Sequence, residues 1–409
     1  MFRRKYIRLC RKFLGSIVRP KSGIRSQLTR GCKVLYLIVS GGFEIVGDTL
    51  FFLKRRDSLR IPNPGRILVI KVDQLGDVIF SSLLIPGIKR KFPQAQIDFL
   101  VRPGAEAILR GNPGVNAVYQ WNNIVLDLLP GRGRRTPVLR KIRANWSTRQ
   151  KLRRNGYDVA INARAYPPSS NFFWKGVAGA LIAFDISEQS FLADYWGPYD
   201  LDAEEWSNYA NLLAPLGIDS SSVGVCGEFY NYDVPNPMDA SPYAVISPVT
   251  FDRDRQWKTE HWISLIAALS SRGIAVAITG MPSQREFLEK LAFSVSRGEM
   301  VRVFTDLRLP QFGALMDRAA IFVGIDSFPA HLALALKKPV RLLVNSDVYF
   351  LKGYSRSRFA SEARSMIPAS PLAAFFDARS ALPDEIIASC AETLNQSAPA
   401  VTGPFVVPT

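Results

Sequence analysis

Short apolar runs alternate with amphipathic helical patterns along most of the chain, and this alternation is the main guide to its fold. The mostly apolar run at 66–72 predicts a strand buried on both faces of a parallel sheet. A helical pattern follows, and Pro86 inside it predicts a kink because proline donates no backbone hydrogen bond. Further strands are predicted at 97–101, 115–119 and 158–162, with a short helix near 104–110. This arrangement is typical of an α/β unit with a largely parallel sheet.

The same alternation begins again after 233–242, a segment rich in turn-forming residues. Strands are predicted at 243–247, 274–279, 320–324 and 340–344, and helices at 260–271, 283–297, 310–318, 328–337 and 383–395. Two such units predict a cleft in which strand C-termini and helix N-termini face each other. We expect three parts: an N-terminal appendage at 1–65, a first domain at 66–235 and a second domain at 236–409.

The composition excludes several classes of protein. Of the 409 residues, 47% are hydrophobic and 21% are charged, which is typical of a folded globular chain rather than a disordered one. The four cysteines are widely separated and only two histidines are present, so neither a zinc site nor a disulfide framework is expected. Scattered free thiols favour a reducing compartment. No secretory signal is expected, because the basic N-terminal region is too long.

Positive charge is concentrated in the first 60 residues. They contain 15 Lys and Arg against three acidic residues, so they account for +12 of the net charge of +17. Apolar residues are interleaved with these cations, which favours helices lying on an anionic membrane surface over a nucleic-acid-binding tail. The apolar stretch 34–53 contains Glu44 and Asp48, and an Asp at the bilayer centre costs about 2.5–3.5 kcal/mol. We therefore expect two interfacial segments rather than one membrane span.

Two strand-to-helix turns contain candidate functional residues. Gly76 and Asp77 follow the first strand, where Asp77 presents a carboxylate to the expected cleft or simply caps the helix. The sequence 324–331 follows another apolar strand and opens a helix. Its backbone N–H groups and the Ser327 hydroxyl can hold a phosphate. Alternatively, Asp326 and Ser327 are capping residues and His331 is a packing residue.

Basic residues mark two further candidate sites. In the loop after strand 243–247, Thr250 offers a hydroxyl and Arg255 can neutralise a diphosphate, although local pairs with neighbouring Asp residues also explain this loop. The segment 132–154 contains ten Lys and Arg and no acidic residue, which suits the phosphates and carboxylates of an acidic acceptor. It is also typical of a solvated basic loop. The candidate acceptor-binding residues are Arg140, Lys141, Arg143 and Arg164.

These motifs together resemble glycosyltransferase family 9, the lipopolysaccharide heptosyltransferases. The resemblance rests on RILVIKVDQLGD at 66–77 and on the stretches 100–104, 110–115, 211–218, 255–262, 278–282 and 326–332. It implies the GT-B fold, with two Rossmann-like domains that hold the acceptor and the nucleotide-sugar respectively. It implies inversion at the anomeric carbon, with no obligatory metal and no cofactor beyond an ADP-heptose co-substrate. Asp77 matches the family's general base.

The resemblance also assigns the donor site and shows where this chain departs from the family. Asp326, Ser327 and His331 match the nucleotide-side motif, and Thr250 matches a hydroxyl position near the phosphates. Arg255 replaces a usual lysine, Phe328 replaces a glycine, and Gln284 stands where an acidic residue is expected. The sequence 345–348 differs as well. These departures leave open a non-catalytic nucleotide-sugar-binding protein, or a transferase that uses a different NDP-sugar.

The charge pattern and the resemblance together predict a peripheral protein at the cytoplasmic face of a bacterial inner membrane, with no nucleic-acid partner. Deleting residues 1–60 should release the protein from membranes, because each Lys or Arg near an anionic leaflet contributes about 1 kcal/mol. Activity on a detergent-dispersed acceptor should be largely unchanged. Fractionation with salt and carbonate washes checks this expectation. Sedimentation of the truncated protein with membranes, or resistance of the full chain to both washes, would contradict it.

Overall fold

The computed structural model describes ten ranges of the chain: residues 63–122, 138–164, 171–185, 192–200, 205–219, 234–239, 242–249, 256–295, 300–344 and 373–397. Several of the predicted features lie outside these residues. They are the N-terminal appendage up to residue 62, Thr250, Arg255, the sequence 345–348 and the first part of the basic segment, up to residue 137.

The chain divides into two compact units, each with its own parallel sheet. In chain order the first unit contains β1 (Arg66–Lys71), α1 (Leu75–Ser82), α2 (Leu84–Lys91), β2 (Gln96–Val101), α3 (Glu106–Leu109), β3 (Ala117–Gln120), α4 (Val138–Arg154), β4 (Tyr157–Asn162), α5 (Asn171–Trp174), β5 (Ala178–Phe184), β6 (Tyr195–Gly197), α6 (Glu205–Asn211) and a 3-10 turn (Ala214–Leu216). Among the described residues, the strand order is β3-β2-β1-β4-β5-β6.

The second unit repeats this plan. It contains β7 (Tyr243–Ser247), α7 (Thr259–Ser271), β8 (Ala275–Thr279), a 3-10 turn (Pro282–Gln284), α8 (Arg285–Phe293), β9 (Val301–Phe304), α9 (Leu309–Asp317), β10 (Ile321–Ile325), α10 (Phe328–Ala335), β11 (Val340–Val344), β12 (Ala373–Asp377) and α11 (Pro383–Ser397). Its described strands follow the order β12-β11-β10-β7-β8-β9. The prediction of two α/β units with parallel sheets is therefore confirmed.

Strand order determines where a ligand can approach each sheet. In the first unit β1 pairs with β2 on one side and β4 on the other, so successive connections leave it in opposite directions. In the second unit β7 pairs with β8 on one side and with β10 on the other, so the same reversal occurs between β7 and β10. In open α/β sheets, ligands bind outside the carboxyl ends of the strands at this point of reversal. The ends of β1 and β4, and of β7 and β10, are therefore the places to look for chemistry.

Some elements differ from the sequence-based prediction. The pattern around Pro86 forms two helices that meet at Leu83, because Pro86 occupies the third position of α2, where no backbone donor is needed. Helix α8 ends at Phe293, four residues before its predicted end. The sequence pattern missed the strands β5, β6, β9 and β12. Two of these, β6 and β9, are only three and four residues long.

The packing position of the last helix could not be predicted, and the structure shows it in the core of the second unit. Ile386 and Cys390 of α11 are fully buried against that core. Arg341 of β11 donates a hydrogen bond to the carbonyl oxygen of Ser389 at 2.7 Å. Burial raises the pKa of the Cys390 thiol to about 12, so this cysteine is an inert packing residue.

Candidate functional site

The carboxyl end of β1 contains a buried ammonium group. Lys71, the last residue of β1, is 2% exposed, and its Nζ donates a hydrogen bond to the carbonyl oxygen of Ala163, just after β4, at 2.9 Å. The same Nζ lies 5.3 Å from the centre of the Tyr209 ring, within range of a cation–π interaction. Because β1 and β4 are adjacent, this charge sits at the point of strand-order reversal.

Asp73 supplies negative charge to this region. Its Oδ2 lies 3.2 Å from Lys71 Nζ, and its Oδ1 lies 3.3 Å from Nη2 of the buried Arg164. Burial by itself would raise the pKa of Asp73, but the charges of Lys71 and Arg164 outweigh it and lower the pKa below its usual value. Asp73 is therefore held as a carboxylate between two cations.

Asp77 caps its helix with one carboxylate oxygen and stays partly exposed. Its Oδ2 accepts a hydrogen bond from the backbone N–H of Gln74 at 3.0 Å, so it caps α1. Its Oδ1 lies 3.8 Å from Lys71 Nζ, and the side chain is 32% exposed. The side-chain oxygen of Gln74 accepts a hydrogen bond from Arg102 Nη1 at 2.8 Å. One oxygen thus fixes the orientation of the carboxylate, while the partly exposed group can reach a ligand.

The second predicted motif lies at the carboxyl end of β10, the corresponding point of the second sheet. Asp326 and His331 are buried, and Asp326 Oδ1 lies 3.7 Å from His331 Nε2. Ser327 is the residue before α10. Within the described residues its hydroxyl makes no capping bond but donates to the carbonyl oxygen of Ile325 at 3.0 Å. Helix α10 thus begins beside a buried Asp–His pair.

Three other residues of the second unit have defined positions. Gln284 accepts a hydrogen bond from the backbone N–H of Met281 at 2.8 Å, so its amide oxygen orders the turn after β8. The ring centre of Phe328 lies 6.0 Å from that of Phe312. Trp257 is buried and donates to the carbonyl oxygen of Ala381 at 3.1 Å, so it is a core residue.

The predicted acceptor-binding residues fall into two environments. Arg140 and Arg143 are exposed on α4, and Lys141 of the same helix is half-buried. Arg164 is buried and pairs with Asp73. The structure therefore brings Arg164 into the charged cluster beside Asp77, whereas the other three cations belong to the helix surface.

Sequence reasoning missed Lys71, Asp73 and Tyr209. The signal for the first two was present, because a lysine ends an otherwise apolar strand and an aspartate follows two residues later. An ionised side chain at such a buried position requires an opposite charge. Tyr209 left no comparable signal in the sequence, since its approach to Lys71 depends on how α6 packs.

The described residues contain neither a candidate metal site nor a candidate membrane span. In the ten ranges given above, no group of three or more His, Cys, Asp or Glu side chains is arranged to hold a metal ion. Nor is any helix in those ranges both long enough and apolar enough to cross a membrane.

The chain is similar in sequence to known glycosyltransferases. Residues 145–364, more than half of the chain, match the model of glycosyltransferase family 9 (heptosyltransferase). Lipopolysaccharide heptosyltransferase 3 of Escherichia coli K12 is 28% identical over 291 residues, which are 65% of this chain and 78% of the relative. Lipopolysaccharide heptosyltransferase 1 of Pseudomonas aeruginosa is 26% identical over 314 residues, covering 72% and 82% respectively.

Solved structures show the same architecture. A family 9 glycosyl transferase from Veillonella parvula superposes with a TM-score of 0.64 at 15% identity, covering 84% of this chain and all of that one. The E. coli heptosyltransferase WaaC, solved with ADP, also gives 0.64 at 18% identity, covering 80% and 99%. Two Rossmann-like units with these neighbours define a protein of the GT-B fold. The chain belongs to glycosyltransferase family 9, as its motifs indicated.

The low pKa of Asp73 predicts a pH-dependent contribution to stability. An Asp73→Asn variant should be about 3–5 kcal/mol less stable at neutral pH, because Lys71 and Arg164 lose a buried counter-charge. A depressed carboxyl pKa stabilises the fold above the unfolded value of about 3.9, and this stabilisation is lost as pH falls. The difference in the free energy of unfolding between variant and wild type should therefore shrink as the pH is lowered. Urea unfolding across pH measures it.

The exposed Asp317→Asn is the matched control, because its carboxylate is 53% exposed and lies 3.9 Å from Lys338. We expect it to change stability by no more than about 0.5 kcal/mol. A stability difference for Asp73→Asn that stays constant from neutral to acid pH would contradict the assigned charge state.

Proposed function

We propose that this chain is an inverting glycosyltransferase that moves heptose from ADP-heptose to an acidic acceptor of the lipopolysaccharide core, or to another lipid-linked acceptor, with Asp77 as general base. The observation that supports this most directly is the geometry of Asp77. It is a partly exposed carboxylate with a fixed orientation, at the point of strand reversal, beside a buried ammonium. Family membership supplies the reaction class, and the relatives' names supply the donor and acceptor.

In the proposed step, a carboxylate oxygen of Asp77 accepts the proton of the acceptor hydroxyl. The hydroxyl oxygen then forms a bond to the anomeric carbon while the bond from that carbon to the diphosphate breaks. Attack from the opposite face inverts the configuration, and ADP leaves with the electron pair. A single positioned base of this kind contributes about 10²–10⁴-fold to rate. Lys71, whose Nζ lies 3.8 Å from Asp77 Oδ1, helps to hold this carboxylate in position.

The donor is assigned to the second unit. The N-terminus of α10 and the Ser327 hydroxyl offer hydrogen bonds and a favourable dipole to the diphosphate, and the cation Arg255 offsets its charge. Thr250 adds a hydroxyl near the phosphates. Asp326 and His331 hold the turn that positions these donors, and Gln284 contacts the ribose or base. Metal independence is part of this proposal, since positive charge and backbone N–H groups stabilise the leaving group.

The acceptor is assigned to the first unit. The side chains of Arg140, Lys141 and Arg143 can pair with phosphates or carboxylates of an acidic glycolipid. Arg164 acts through Asp73, which it holds beside Lys71. A peripheral position at the cytoplasmic face of the inner membrane would give the enzyme access to such a lipid-linked acceptor.

Two alternatives concern the donor side. A non-catalytic nucleotide-sugar-binding protein, or a transferase with another NDP-sugar, is suggested by Phe328 in place of glycine and by Gln284 in place of an acidic residue. The packing of Phe328 against Phe312 favours a motif that keeps its structure, because the larger side chain packs against α9. The intact cluster around Asp77 favours catalysis over binding alone.

Replacing Asp77 with asparagine separates its two roles. Asparagine can still cap α1 but cannot accept the proton, so turnover should fall by roughly 10²–10⁴-fold with little change in stability. Asp317→Asn makes the same chemical change at an exposed site and should retain wild-type turnover. Single-turnover kinetics with a lipopolysaccharide-core acceptor provide the measurement. An Asp77→Asn enzyme with more than half of wild-type turnover would reduce this residue to a helix cap.

Nucleotide preference can be measured without any acceptor. In a thermal-shift panel of ADP, UDP, GDP and CMP with their sugar conjugates, we expect ADP and ADP-heptose to stabilise the protein most. A ligand at a hundred times its Kd adds about 2.7 kcal/mol. Asp77→Asn should show the same shift as wild type, because it does not contact the donor. A larger shift with another nucleotide would replace the ADP assignment, and equal binding without turnover would favour the non-catalytic alternative.

A further inference from the structure

Five large apolar side chains are exposed on one region of the first unit. Trp146 of α4 is 60% exposed and Phe172 of α5 is 68% exposed. With them belong Leu139 and Ile142 of α4 and Phe173 of α5, and together these five side chains form the α4–α5 apolar patch. Single exposed apolar residues are common on proteins, but a group of five on two neighbouring helices indicates a binding surface.

Helical geometry puts the α4 members of the patch in one stripe. Residues 139, 142 and 146 are spaced by three and four positions, so they project from the same side of the helix. Asn145 and Leu152, which are seven positions apart, lie on a neighbouring face roughly 100° around the helix and are buried against the unit. The stripe is therefore not the packing face of α4, and the helix has apolar residues on two sides.

Hydrogen bonds join α5 to α4. Arg149 donates to the carbonyl oxygens of Phe173 at 2.9 Å and Lys175 at 3.2 Å. Arg149 is one turn beyond Trp146, so the α5 aromatics lie next to the end of the stripe. The Phe173 ring also packs 5.8 Å from the ring of Trp121. These contacts hold the exposed aromatic residues in place.

Cations surround the patch. Helix α4 contains seven Lys and Arg and no acidic residue: Arg140, Lys141, Arg143, Arg149, Lys151, Arg153 and Arg154. By helical spacing Arg143 and Arg153 border the apolar stripe itself. Burial, and after it the charge of Arg153 four residues along the helix, lowers the pKa of Arg149. A partner for this surface must therefore be both anionic and able to accept apolar side chains.

We propose that the α4–α5 apolar patch docks on a bilayer containing anionic lipids, with its five apolar side chains at the boundary of headgroups and acyl chains and its cations on lipid phosphates. A second copy of the chain would bring the seven cations against seven more. RNA offers phosphates, but it offers no apolar phase for Leu139 or Ile142. Amphipathic helices with this composition bind membrane interfaces through apolar burial and attraction to anionic lipids.

This surface is distinct from residues 1–60, and docking here does not depend on catalysis. By itself the patch is a weak anchor, because few residues insert. It adds to the attachment predicted for residues 1–60 and orients the protein so that α4 faces the lipid. Vesicle binding is measured without donor or acceptor, so failure of this proposal and failure of the enzymatic proposal can be distinguished.

The test compares two double variants of the full-length chain. Ile142→Ser with Trp146→Ser removes two exposed side chains from the patch, and Phe293→Ser with Leu382→Ser removes two exposed apolar side chains from the second unit. On phosphatidylcholine vesicles containing phosphatidylglycerol, the patch variant should partition at least about tenfold more weakly than wild type. The control variant should match wild type, and pure phosphatidylcholine should bind all three weakly.

A second measurement reports insertion directly. Phospholipids brominated in the acyl chains should quench the fluorescence of vesicle-bound wild type, and Trp146→Phe should lose part of this quenching while keeping its affinity. Unchanged partitioning of the patch variant, or equal quenching in Trp146→Phe, would overturn the proposal. So would a dimer in sedimentation velocity, or RNA binding, that the patch variant abolishes while vesicle binding remains.

Discussion

A buried ammonium group is stable only beside opposite charge, and this requirement determines which groups lie at the carboxyl end of β1. Lys71 terminates β1 inside the protein, so the chain must supply carboxylates and carbonyl oxygens at that place. Asp73 lies in the loop after β1, Asp77 lies in the first turn of α1, and Ala163 follows β4. Arg164 then balances Asp73. The orientation of Asp77 is therefore a consequence of charge balance around Lys71 as much as of helix capping.

The sequence predicted those features that depend on local pattern. The apolar runs located β1, β7 and β10, and the turn residues after them located Asp77 and Asp326. It could not predict the pairing of β1 with β4, which brings Arg164 to Asp73 across 91 residues of chain. Strand order depends on crossover connections, which hydrophobic periodicity does not record. The same limit explains why the pairing of Arg164 with Asp73 was not predicted, and why Tyr209 was not identified.

In the second unit, Phe328 shows how the fold accommodates a changed motif residue. The sheet of this unit has the strand order of the first, and Asp326 follows β10, the strand that corresponds to β4 of the first unit. Phe328 stood out in the sequence because glycine allows close approach of a ligand to the backbone. The structure gives its ring a neighbour in Phe312, so the substitution adds a packing contact to α10. Such a change can alter which ligand fits while leaving the buried Asp326–His331 pair unchanged.

The position of α11 has a consequence for how the protein is made. Ile386 and Cys390 complete the core of the second unit, and Arg341 on β11 is hydrogen-bonded to the α11 backbone. On the ribosome, the strands up to β12 emerge before this helix does. The nascent second unit therefore exposes apolar surface until α11 emerges, whereas all described elements of the first unit have already emerged. Chains stalled or cut before residue 390 would expose this unfinished core to chaperones and proteases.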